Sequence, residues 1–345
     1  MTRRLTIGAV AAITALALAG CSSGDDGSAQ GGDAPTAAVD DPALTALIED
    51  AQAEGSLTLY GIPDERALRE LAAAFTEKYD IDVTVLRLVS ADLSQRFSAE
   101  AAAGATVADA ILLTYSPFYD EAFGEGWLTP LDEAEIPGFP DDFPADYLAA
   151  DGDTAVVSMV PTEMVYNTDL VDPAPDDWEA YAEPEFKDQL LFAEPASSPA
   201  NLSFWSLMLD EYGEDYLKAI ADNNPTWMNS AVNTTQGVAA GEGSLAHPGV
   251  LAIVKTLQEQ GAPVKTVSLS PTTGPEIALG LSADAPNPNA ARLFSHFVLS
   301  EEGNTVLAEE TGAGSPYGVN LVDGYVRPGP VPEETREKIL SLFGF

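Results

Sequence analysis

Apolar positions along this chain alternate between two rhythms, one of period two and one near 3.6 residues. Residues 56–60, Ser-Leu-Thr-Leu-Tyr, have strand composition and run into the turn Gly61-Ile62-Pro63. Beyond Asp64 and Glu65 the spacing changes: Leu68, Leu71, Ala72, Phe75 and Tyr79 share one helical face. Residues 81–88 return to a β-rich run. A helix is expected over about 92–103, with Ser90 or Asp92 as its N-cap, and residues 108–114 form a third, buried strand. Strand, helix, strand, helix, strand in this order predicts an α/β fold on a largely parallel sheet.

Near Asp153 the pattern changes. Residues 154–160 and 164–167 read as short strands separated by Pro161, and prolines 173, 175 and 184 surround Trp178 in a loop-rich passage. Residues 190–192 are one more strand, and helical runs cover 201–212 and 216–221. Strands follow at 264–269 and 276–281. The last predicted helix, 289–299, turns Ala290, Leu293, Phe294 and Phe297 inward. No internal repeat is present.

The amino-terminal pattern is of another kind. Arg3 and Arg4 precede a mostly apolar run over 7–18, too short to span a bilayer and followed by small residues, as in a signal peptide. It ends in Leu18-Ala19-Gly20-Cys21, which resembles the bacterial lipobox, and residues 1–20 are expected to be removed. Cys21 is then the lipidation site, carrying a thioether-linked diacylglycerol whose two chains suffice for stable anchoring. It is the only cysteine, so a disulfide framework and thiolate metal sites are excluded. Residues 22–39 are Gly, Ser, Asp, Ala and Pro with almost nothing to bury, a flexible tether. The paired arginines are compatible with either Sec or Tat export.

The formal net charge is −40, and −42 once Arg3 and Arg4 leave with the signal. Such a surface repels nucleic acid and anionic headgroups, and nucleic acid is not an expected partner. It does not set the sign of a ligand, because local groups line a pocket. Catalytic signatures are missing: two histidines, His247 and His296, are all there are, and no Gly-x-Ser-x-Gly, His-Glu-x-x-His or P-loop occurs. The chain is expected not to be an enzyme and to need no cofactor.

Several segments, taken in order, resemble the ferric-iron and phosphonate-type solute-binding proteins of ABC importers. They are Leu57 to Pro63, Phe75-Thr76-Glu77-Lys78-Tyr79 with Val83-Thr84-Val85, Ser90 to Glu100, and Ala108-Asp109-Ala110. Later come Val165-Tyr166-Asn167, Trp178 ahead of Pro184 to Asp188, and Glu194-Pro195-Ala196-Ser197-Ser198. The last are Gly261 to Val264, Ala285 to Ala291, and Leu299-Ser300-Glu301-Glu302-Gly303. The resemblance implies a two-lobe periplasmic-binding-protein-like α/β fold, with crossing hinge strands and an inter-lobe cleft. On that analogy lobe one is 40–152 plus 265–300, and lobe two is 153–264 plus 301–345. It further implies a monomer that is extracytoplasmic, lipid-anchored to the cell membrane, and partnered by a small-molecule solute and an ABC permease.

In such folds binding groups gather at the carboxyl ends of strands. Asp64 lies after the first strand, where it meets a cation or complements the following helix dipole. Ser90 ends the second strand, where its hydroxyl and free backbone N–H groups hold an anionic oxygen or simply cap a helix. Tyr115 and Ser116 follow the third strand, while Tyr119 has the spacing of helical packing. Ser197 and Ser198, with Asn201, form the corresponding loop in lobe two, and Asn233, Thr234 and Thr235 lead into another helix. The iron-coordinating members of the family carry an adjacent tyrosine pair shortly after a Gly-Glu. Here Gly241-Glu242 is followed by Gly243-Ser244-Leu245-Ala246-His247-Pro248-Gly249, with His247 read as a surface loop residue. No metal site is therefore expected, and the solute expected is a phosphonate, phosphorylated metabolite or organic acid. Ferric iron, free or chelated, is the alternative; a surface-anchored enzyme or a structural lipoprotein stands further off.

Overall fold

The computed structural model describes residues 41–345. The signal, Cys21 and the tether lie outside the described residues. In chain order the principal elements are α1 (Pro42–Glu54), β1 (Ser56–Gly61), α2 (Glu65–Tyr79), β2 (Asp82–Arg87), α3 (Ser90–Ala102), β3 (Ala110–Thr114), α4 (Phe118–Gly124), β4 (Leu128–Thr129), β5 (Leu148–Ala149) and β6 (Thr154–Met159). Then come β7 (Glu163–Asn167), β8 (Leu190–Ala193), α5 (Pro199–Tyr212), α6 (Glu214–Asp222), β9 (Thr226–Met228), α7 (Ala231–Ala240), β10 (Leu245–Gly249) and α8 (Leu251–Glu259). The chain continues through β11 (Val264–Val267), β12 (Glu276–Ser282), α9 (Pro288–Leu299), α10 (Glu301–Thr311) and α11 (Glu333–Phe343).

The strands form two sheets, one per lobe. The first has seven strands in the order β2-β1-β3-β12-β6-β5, with β4 on β12; the second has five in the order β11-β7-β10-β8-β9. Both are covered on two faces, which is why β3, β6, β8 and β12 are near-continuous buried runs instead of alternating ones. One face of the first sheet packs on α1, α2 and α9, where Phe75 meets Phe294 and Phe297 at centroid distances of 5.3 and 5.8 Å. Its other face packs on α3 and α4 through Phe97 and Tyr119. In the second sheet α5, α6 and α11 cover one face around Trp178, Phe204 and Trp205, and α7 and α8 cover the other.

Local sequence explains the elements that place the cleft. Asp64 caps α2 by accepting from the Arg66 N–H at 2.9 Å, and Leu68, Leu71, Ala72, Phe75 and Tyr79 are buried, as their spacing predicts. Ser198 caps α5, and Pro199 occupies its first turn, where no N–H is needed. Asp109, fully buried just before β3, accepts from the backbone N–H of Thr58 at 2.7 Å and of Asn287 at 2.6 Å. It ties the amino end of β3 to β1 and to the start of α9, at the edge away from the other lobe.

Three segments cross between the lobes. Residues 160–162 and 268–275 run side by side: Val160 N–H donates to the Pro275 carbonyl at 2.9 Å, and Thr162 N–H to that of Thr273 at 3.0 Å. Thr162 Oγ1 also donates to Thr273 O, and Thr272 Oγ1 to Thr162 O, both at 2.7 Å. The third crossing leaves α10, bridges Met159 at Gly314 and reaches α11. It is fastened by Arg327, whose Nε and Nη2 lie 2.9 and 2.8 Å from the two carboxylate oxygens of Glu276, a residue only 2% exposed.

These pairings move the lobe boundaries from where the sequence reading puts them. β6, expected to open lobe two, lies in the first sheet, since it pairs with β12 in the register Ala155↔Leu279 and Ser158↔Ile277. The chain crosses at Pro161, not near Asp153. β11 extends through Val267 in the second sheet, past the expected boundary at 265. α10, expected in lobe two, packs on α2 in lobe one, with ion pairs Arg66–Glu310 and Lys78–Glu302. Of the carboxyl-terminal remainder, α11 packs in lobe two, where Phe343 meets Trp205 at 4.8 Å.

Candidate functional site

Strand direction locates the site. β1, β2 and β3 are parallel, and β6, antiparallel to β12 as β3 is, runs the same way. Their carboxyl ends form the edge from which the chain leaves for the second lobe. In that lobe β8, β9 and β10 are parallel, and β11 and β10 both run opposite to β7. Because β7 enters from the first lobe and β11 returns to it, their carboxyl edge faces the first one. Helices α2, α3, α5, α7 and α8 all begin at these two edges, presenting first-turn N–H groups that no intrahelical bond uses.

On the lobe-one edge, Ser90 is the first residue of α3, and the extended Val89 is the N-cap, without a side-chain bond. Ser90 Oγ instead lies 3.0 Å from Thr114 Oγ1, joining the ends of β2 and β3. Tyr115 is half-buried, its N–H donating to the Glu276 carbonyl at 2.8 Å, and burial raises its phenol pKa. Ser116 follows it on the same edge, half-buried, and its carbonyl accepts from the Tyr119 N–H at 3.0 Å. Tyr119 is fully buried and donates to the Ala278 carbonyl at 2.7 Å, so it is packing. Asp64 is exposed and its carboxylate serves as the α2 cap.

On the lobe-two edge, Ser197 Oγ donates to the Glu194 carbonyl at 2.6 Å and accepts from Asn201 Nδ2 at 2.8 Å, while Ser198 Oγ accepts from the Asn201 N–H. Ser230, which the sequence reading passed over, caps α7; Asn233, three residues on, is exposed and donates to Asn229 Oδ1. Thr234 is placed differently from Asn233. It is fully buried and its hydroxyl donates to the Ala231 carbonyl at 3.0 Å, so its side chain is withdrawn from the edge. The helix starts earlier than its Asn-Thr-Thr sequence suggests, and its second turn faces the sheet.

Two acidic and histidine positions also differ from expectation. His247 lies on β10 at 1% exposure, stacked on Phe204 at 3.6 Å and ringed by Trp178, Tyr181 and Trp205. Its placement follows from β10 being a central strand of the second sheet. Glu163, the first residue of β7, was not singled out, although it stands where two crossing segments meet; its Oε1 accepts from Ser268 Oγ. A carboxylate opening a strand straight after Pro161 is the signal that could have found it. Among the described residues no three His, Cys, Asp or Glu side chains come together as a metal site.

Two α/β lobes, three crossing segments and facing carboxyl edges rich in hydroxyl and amide groups define a two-lobe binding protein. The profile of the family described as "Bacterial extracellular solute-binding protein" matches residues 70–317, well over half of the chain, and the chain belongs to that family. Among solved structures it is similar to iron-bound HitA from Pseudomonas aeruginosa: 19% identity, 84% of this chain and 98% of that one covered, TM-score 0.60. It is also similar to AfuA from Actinobacillus pleuropneumoniae with fructose-6-phosphate bound, at 20% identity, 84% and 97% coverage and TM-score 0.54. A third is PotD from Streptococcus pneumoniae, a spermidine/putrescine ABC transporter substrate-binding protein, at 17% identity, 84% and 97% coverage and TM-score 0.63. These likenesses carry the fold; the ligands belong to those proteins.

Proposed function

We propose that this protein is the lipid-anchored, monomeric substrate-binding component of an ABC importer, capturing a small polar or anionic solute between its lobes and delivering it to a membrane permease. The observation that carries this reading is the pair of facing carboxyl edges, each offering helix N-termini and small polar side chains, in a chain of the extracellular solute-binding family. Uncapped N–H groups and the helix dipole favour an anionic group such as a phosphonate, phosphate or carboxylate. Ser90, Tyr115 and Ser116 contact it from one lobe, and Ser197, Ser198 and Asn233 from the other. Contacts made by both lobes at once exist only in the closed form, so the solute shifts the hinge equilibrium toward closure. Anchoring rests on Cys21 at the end of the lipobox-like Leu18-Ala19-Gly20.

A thermal-shift screen over phosphonates, sugar phosphates, organic acids, polyamines and ferric chelates tests the reading. At a free concentration about 100 times Kd, linkage adds roughly 2.7 kcal/mol of stability, which shifts Tm of a chain this size by a few degrees. Alanine at Ser90, Tyr115 or Ser197 should weaken the same hit without a comparable loss of apo stability. Unchanged affinity in all three variants would discard the cleft assignment, and turnover of any compound would discard the receptor reading. A coloured stoichiometric complex with ferric salt would move the ligand class to iron. Mass spectrometry of the native amino terminus checks the anchor: an unmodified Cys21 thiol overturns it.

A further inference from the structure

Where β7, β10 and β11 meet at the lobe-two edge, one charge is left over. Glu163 opens β7, opposite Gly249 at the end of β10, and Ser268 directly follows the end of β11. The approach is close enough that a Cβ on Gly249 would sit 2.6 Å from the Glu163 carbonyl oxygen. The Glu163 carboxylate is thereby held at the junction of the two inner crossing segments. Ser268 Oγ donates to its Oε1, while Oε2 is shielded from solvent and meets no hydrogen-bond donor among the described residues. Nor does any Lys, Arg or His of the described residues form an ion pair with it; Arg327, on the third crossing segment, is committed to Glu276. Glu163 as a whole is half-buried and its bond to Ser268 is open to solvent, so the unmet demand lies at Oε2, which can only accept a hydrogen bond. Sheltered polar groups of folded proteins are nearly always satisfied, so a donor from outside the chain is called for. A hydroxyl would supply a hydrogen bond and leave the charge; a protonated amine supplies both.

Resting on the receptor reading above, we propose that Glu163 is the subsite for a protonated amine, and that the solute carries an ammonium group as well as the polar or anionic end held at the helix N-termini. Hinge closure places the amine against Oε2 and completes its hydrogen bonding, which makes Glu163 a specificity-determining residue.

The test is calorimetry on the mature full-length protein with matched pairs that differ in the amine: O-phosphoethanolamine against ethyl phosphate and 2-hydroxyethyl phosphate, 4-aminobutyrate against butyrate, and putrescine. The amine-bearing member should bind about 10-fold or more tightly than its amine-free and hydroxyl counterparts, the range of a charge-assisted hydrogen bond. Glu163→Gln should abolish that preference while sparing the amine-free members. Glu163→Asp, which keeps the charge, should retain more of it, and Ser268→Ala, which removes only the internal donor, should keep the preference whole. Thermal melting of each variant checks its folding. Failure of every amine to bind, equal affinity within the pairs, or a preference that survives Glu163→Gln overturns the assignment. Amine-free solutes that still bind and stabilise the protein leave the receptor reading standing; a wider screen without any hit removes that reading itself.

Discussion

His247 shows how one residue couples the second lobe to pH. Its ring lies among Phe204, Trp178, Tyr181 and Trp205, and neither ring nitrogen has a hydrogen-bond partner among the described residues. Burial pushes its pKa well below the ordinary 6.5. As pH falls through about 6.5 the unfolded chain takes up a proton that the folded protein refuses. The stabilisation is therefore complete above that pH and declines below it, by up to about 1.4 kcal/mol per pH unit, until the folded imidazole itself charges. Urea unfolding between pH 7.5 and 5 should show this slope, and His247→Phe should flatten it. Burial raises the carboxyl of Asp109, which acts with the opposite sign; the difference between the two proteins isolates the imidazole. Sequence reached part of this scale. Ser90, Tyr115 and Ser198 follow visible strand ends or open visible helices, and they do stand at the facing edges. Glu163 with Ser268, and Arg327 with Glu276, were not legible, because each pair joins residues from separate crossing segments far apart along the chain.

Elements were legible where the apolar rhythm was strong. α2 buries one regular face, and β1 and β3 are short β-rich runs between turns. α1 passed unnoticed because only Leu47 and Ala51 are fully buried on it, and α11 because it buries only Ile339 and Phe343. β10 was read as a loop: Leu-Ala-His-Pro-Gly has no strand composition, yet it is buried throughout because β7 and β8 flank it. The crossing segments were the least legible, since their conformation is set by each other. Gly274 packs there so closely that a Cβ would press on the Val160 carbonyl oxygen and crowd the Thr162 backbone nitrogen. Gly274→Ala should therefore cost about 1–3 kcal/mol in urea unfolding, the usual range for overpacking. Gly329→Ala, with nothing within 4 Å of the added Cβ, should be near neutral.

For the whole molecule, the proposed function makes the facing edges and the paired crossing segments the parts of a ligand-biased hinge. Solute binding should lower the radius of gyration in small-angle scattering, saturating at one solute per protein; an unchanged radius at saturation would mean that the solute binds both hinge states equally. By itself the sequence determined the α/β class and the order of most strands and helices, since these depend on local composition and on periodicity over ten or twenty residues. Only the tertiary structure decided that the crossing falls at Pro161, that α10 returns to the first lobe, that His247 is interior, and that Glu163 Oε2 is sheltered without a hydrogen-bond donor among the described residues. Those facts come from strand pairing and helix docking between segments distant along the chain, where no local pattern records which partner is met.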